Sequence, residues 1–178
     1  MKVKTRKVTL SALFSALCFA ALYVAAVWPT GLFGLVAFSS LFVAAAVVEM
    51  GAMSGVYVFI VSSALGMIIL PDRAAPLLFI MFFGYYPIVK SLIERLRSAV
   101  VRWILKLAVF NASLSVLWFL IRGVILGYSG SIPVAMAVYL LGSAVFAVFD
   151  YGYSKVIWFY INRVSKAVSN RKGTGGSD

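Results

Sequence analysis

The chain has 178 residues, of which 63% are hydrophobic, and its mean hydropathy is +1.04, which leaves room for about one compact membrane domain and no separate soluble one. One cysteine and no histidine exclude a disulfide framework and remove the commonest metal ligand and the usual general base, so no metal and no cofactor is expected. A formal charge of +11 does not point to nucleic acid, because the basic residues cluster at the ends of apolar runs, where anionic lipid at the inner leaflet and cytoplasmic partners are the fitting counter-charges.

The first apolar run, 8–28, follows a stub carrying Lys2, Lys4, Arg6 and Lys7 and stops at Pro29-Thr30-Gly31. It is longer than a signal-peptide core, and Val27-Trp28-Pro29 is no small-residue cleavage site, so a retained span is expected. Within it Ala12, Ala16 and Ala20 recur at a spacing of four. That places them on one helix face, where small side chains let a neighbouring helix approach closely in lipid. The second span is 32–48, ending at Glu49, and the third is 51–70, closed by Pro71-Asp72-Arg73. A short fourth span, 74–89, ends at Lys90 and contains Gly84-Tyr85-Tyr86-Pro87, a kinked or terminating helix end.

Beyond it, Ser91 and Glu94 fit a capping box, and Leu92, Ile93, Leu96, Val100 and Ile104 recur at helical spacing opposite Glu94, Arg95 and Arg102. This pattern predicts an amphipathic helix over 91–106 at the inner interface, merging into the fifth span, with its basic face on anionic lipid or on a partner. The fifth and sixth spans are 100–124 and 133–160. The expected architecture is an all-α, integral membrane six-helix bundle: a single transmembrane domain over 1–172 and a disordered tail over 173–178. With the N-terminus in the cytoplasm, fourteen of the sixteen basic residues fall inside and only Arg73 and Arg122 outside. An even span count returns the C-terminus to the cytoplasm.

Polar residues within the spans are the candidates for function, since an ionisable group deep in a bilayer costs about 2.5–3.5 kcal/mol on insertion scales. Asp150 lies about 17 residues into the sixth span, near the inner boundary, within reach of Lys90, Arg97 or Lys106 from other helices; structural ion pairing is the favoured reading. Glu49 reads as a solvated cap or a partner to a basic residue. At the outer ends, Trp28, Arg73, Arg122 and Tyr128, with Tyr85 and Asn111 deeper, form a candidate substrate-binding set in which the arginines suit an anionic group. Asp72 reads as a local partner of Arg73, and Asn111 and Ser113 fit bonds across helices.

The basic stub leading into Thr9-Leu10-Ser11-Ala12-Leu13-Phe14-Ser15-Ala16-Leu17-Cys18-Phe19-Ala20, in a small six-span chain, resembles the substrate-binding S components of energy-coupling factor transporters. That resemblance implies a non-enzymatic subunit of the cell membrane that captures a vitamin-like micronutrient from outside. It also implies that Ala12, Ala16 and Ala20 dock on a transmembrane coupling subunit driven by two cytoplasmic ATPases. Size and span count are also similar to those of the bacterial rod-shape-determining membrane subunit, a non-transporting scaffold. An intramembrane lipid enzyme is disfavoured by the lack of histidine and paired acids, and no phosphate-binding glycine loop with lysine is present.

Overall fold

The computed structural model describes residues 2–121 and 132–162, and among them there are helices and no strands. Helix α1, Lys2–Val27, begins earlier than the apolar run, so the basic stub forms its first turns. A short 3-10 turn at Pro29–Gly31 reverses the chain into α2, Leu32–Met50. Gly51 alone joins α2 to α3, Ala52–Ile69; its φ of 97° lies in the left-handed region that only glycine adopts without strain.

These three helices pack through small side chains, because in lipid close van der Waals approach takes over from the hydrophobic drive. Cys18, Leu22 and Ala25 of α1 meet Val36, Val43 and Ala46 of α2 and Val58 of α3 in one buried cluster. Ser39, Ser54, Gly55, Ser62 and Gly66 sit on the same buried faces. Two of these hydroxyls bond to backbone: Ser39 donates to the Val36 carbonyl of its own helix at 2.6 Å, and Ser62 to the Ser15 carbonyl of α1 at 3.3 Å.

The fourth crossing is broken. Asp72 Oδ1 accepts the Ala74 N–H at 3.0 Å as the chain enters α4, Ala74–Leu78; Asp72 thus serves the backbone. A π-helical turn follows at Phe79–Phe83, in which the Gly84 N–H reaches back to the Phe79 carbonyl at 2.7 Å. The helix resumes as α5, Tyr86–Ile93. Pro87 has no N–H to continue the ladder, so the expected kink falls at this glycine–tyrosine step. A Cβ on Gly84 would lie 2.6 Å from the Phe59 ring, so only a glycine lets α3 come this close.

Two expectations are corrected here. Lys90 does not end the fourth span, which runs on to Ile93; Lys90 is buried at 2% exposure, because its charge is met by the distant Asp150 and by its neighbour Glu94. The amphipathic helix over 91–106 does not form either. Ser91 donates back to the Ile88 carbonyl at 2.7 Å instead of capping, residues 94–98 leave the helix, and α6 starts at Ala99. Ser98 Oγ accepts the Val101 N–H at 3.5 Å, taking the capping role at that start. Ile93 is buried, while Leu92, Leu96, Val100 and Ile104 are exposed: the periodic pattern straddles two helix ends.

Helices α6, Ala99–Ile121, and α7, Ile132–Tyr160, complete the described fold. The end of the fifth span beyond 121 and the tail 173–178 lie outside the described residues. Among the described residues, five helical stretches are long and apolar enough to cross a membrane: Thr5–Val27, Leu32–Met50, Ala52–Ile69, Ala74–Ile93 and Ala99–Leu117. Short connections make successive helices antiparallel, so the bundle has a proximal end, where α1 begins, and a distal end, where α1 meets α2.

Candidate functional site

The distal half of the bundle holds an apolar cavity of about 420 Å³ between α2, the π turn, α6 and α7. Six phenylalanines border it: Phe33, Phe82, Phe83, Phe110, Phe146 and Phe149. Among the described residues, Ser113 is the one hydroxyl-bearing side chain in its wall and no charged residue lines it. Gly34, Ala37 and Gly142 leave the space that larger residues would fill. The π turn contributes Met81, Phe82 and Phe83 together, which fits the habit of such turns to re-aim side chains at binding sites.

Aromatic packing forms one side of the cavity and extends proximally. Phe110 and Phe146 stack with centroids 4.7 Å apart at 13°, and Phe82 meets them edge-on at 5.5 Å and 5.8 Å. Phe82 also stacks on Tyr86 at 5.0 Å. Contacts of this kind contribute about 0.5–1.5 kcal/mol each beyond area burial.

Tyr86 joins this lattice to a buried charge cluster. Its hydroxyl donates to Asp150 Oδ1, which also accepts from Lys90 Nζ. Asp150 Oδ2 accepts from Lys106 Nζ at 2.9 Å. Glu94 Oε1 lies 3.2 Å from both lysine nitrogens, and Lys90 also donates to Ser154 Oγ at 2.7 Å. Two cations and two carboxylates from α5, its C-terminal connection, α6 and α7 therefore cancel. Two of the three expected partners of Asp150, Lys90 and Lys106, are the ones it binds. The third, Arg97, is exposed, and Lys155, on the same helix as Asp150, lies over the Tyr151 ring at 5.5 Å.

The remaining sequence candidates are dispersed. Trp28 is 65% exposed at the distal end of α1, and Arg73 is exposed just before α4. Tyr85 is half-buried and hydrogen-bonded to Ser113. Asn111 donates to the Leu107 carbonyl at 2.9 Å and to Ser143 Oγ of α7 at 3.5 Å. Arg122 and Tyr128 lie outside the described residues. None of Trp28, Arg73, Tyr85 and Asn111 borders the apolar cavity. Glu49 accepts from the Tyr160 hydroxyl at 3.4 Å, a tyrosine rather than a basic residue. Ala12, Ala16 and Ala20 are all exposed, on the side of α1 away from buried Ser15, Cys18 and Leu22.

The phenylalanines and Tyr86 escape sequence reading because every face of an apolar span is hydrophobic. The one local signal was the aromatic run Phe79-Ile80-Met81-Phe82-Phe83 ahead of a glycine and a proline. In comparisons with known proteins, the chain matches no family model, no curated protein and no solved structure. Fold and site thus define a class: a helical multi-pass membrane protein with an apolar cavity above a neutralised charge cluster.

Proposed function

We propose that this protein is a membrane-embedded solute-capture subunit of an ATP-driven importer of the energy-coupling factor type. In this reading it is a six-span protein of the cell membrane with both termini in the cytoplasm, and α7 is the sixth crossing. The single observation that carries the proposal is the phenylalanine-lined cavity of about 420 Å³, which lies within the range of small-molecule sites. With the N-terminus inside, this cavity falls in the outer half of the bundle. Among the described residues its lining has no counter-charge for a carboxylate or phosphate, which favours an uncharged, largely apolar micronutrient, with Ser113 as the polar contact in the wall. The energy comes from partners: Ala12, Ala16 and Ala20, exposed on α1, offer a close-packing face to a transmembrane coupling subunit coupled to cytoplasmic ATPases.

Mass spectrometry of the protein purified in mild detergent tests the proposal. A stoichiometric small molecule is expected, and it is lost in Gly34→Phe, since a side chain at Gly34 enters open space beside the cavity. Recovery of neither a small molecule nor a partner subunit overturns the reading. Ala16→Trp is expected to abolish co-purification of the coupling subunit while leaving the solute bound. Intact association would reduce the stripe to ordinary surface.

A further inference from the structure

A second pocket, polar and about 400 Å³, lies at the proximal end between the start of α6 and the later half of α7. It is separate from the apolar cavity and shares no lining residue with it. Arg102, Trp103, Lys106, Tyr151, Ser154 and Glu94 border it, and Asp150 lies at its back. Charge accounting identifies what it lacks. Lys90 and Lys106 are already neutralised by Asp150 and Glu94, so the two carboxylates at the pocket are held by lysines.

Arg102 is then the surplus. Its half-buried side chain has no ion-pair partner among the described residues. Arg95, Arg97 and Lys155 lie outside the pocket lining, are exposed, and have no ion-pair partner among the described residues. The pocket therefore suits one anion of single charge, and a guanidinium pairs best with planar or phosphate oxygens.

Its depth selects the source of that anion. Arg102 is one turn into α6 from the proximal end, with Trp103 46% exposed beside it, the level at which aromatic rings meet lipid headgroups. One turn deeper, Leu105 on α6 and Val148 on α7 are exposed at 37% and 75%, and they form an apolar path leading from the pocket towards the bilayer centre.

We infer that this pocket binds one phospholipid, its phosphodiester paired with Arg102 between Trp103 and Tyr151 and its acyl chains lying along Leu105 and Val148. Basic pockets between transmembrane helices serve this purpose.

The test titrates palmitoyl-oleoyl phosphatidylglycerol into delipidated full-length protein in detergent and counts bound lipid by native mass spectrometry. One lipid is expected to bind more tightly than the rest. Arg102→Gln should weaken it at least tenfold, Arg102→Lys less, and Arg97→Gln, which alters a residue away from the pocket, not at all. Circular dichroism confirms that each variant is folded. Equal weakening by Arg97→Gln and Arg102→Gln would show diffuse surface charge and overturn the site. Displacement of the lipid by an equal concentration of inorganic phosphate would overturn the lipid assignment in favour of a free anion.

Discussion

Replacing Asp150 by asparagine keeps the shape of the side chain and removes the charge on which Lys90 and Lys106 converge. At an effective dielectric of about 20, a unit pair at the 2.9 Å separating Lys106 from Asp150 carries roughly 6 kcal/mol of gross attraction. Much of this is offset by the desolvation of both ions, but that cost remains when one partner is removed. Glu94 still lies 3.2 Å from each lysine, yet one carboxylate then faces two cations, and Lys90 stays buried at 2% exposure. Breaking a buried pair in this way costs about 3–5 kcal/mol, equivalent to a melting-point drop of roughly 6–20 °C for a chain of this size. Cys18, fully buried at 0% exposure and the sole cysteine, supplies the assay: a maleimide fluorophore reacts with it only as the bundle opens. The double variant Lys90→Met/Asp150→Leu restores the charge balance, leaving Lys106 with Glu94, and should recover more than half of the loss. A loss below about 1 kcal/mol in Asp150→Asn, or a double variant no more stable than the single one, would refute a desolvated cluster and place these charges in water.

Gly84→Ala forces a methyl to within 2.6 Å of the Phe59 ring and 2.8 Å of Phe79, an overpacking expected to cost about 1–3 kcal/mol in the same melt. Gly51→Ala, at φ 97°, should cost about 1 kcal/mol or more through backbone strain alone, with no change in solute binding. Orientation is read by placing a cysteine at Asp72 or at Ser98 in a Cys18→Ala background. A membrane-impermeant maleimide applied to intact cells should label position 72 and spare position 98, and the reverse pattern would invert the proposed topology.

The parts of this fold legible from sequence are those where backbone chemistry acts locally. The boundaries of α2 and α3 follow from Pro29, Gly31, Gly51 and Pro71, residues that end or redirect helices whatever surrounds them. Asp150 was recognisable because an acid within an apolar span has to find a cation, and the available lysines were few. Lys90 was misread for the complementary reason. A lone lysine ends a span when water is its only solvent, whereas here its partner lies 60 residues away in sequence. The cavity was not legible at all. Hydropathy treats Phe82 and Phe119 alike, although Phe119 is 78% exposed on the outside of α6 and Phe82 faces the cavity.

The position of Asp150 in the last described helix also sets an order of assembly. Ribosomal synthesis makes Lys90, Glu94 and Lys106 before their principal counter-ion exists, so until α7 is made these three side chains carry one positive charge in excess. A chain truncated ahead of residue 150 therefore has two buried-site lysines sharing the single carboxylate of Glu94.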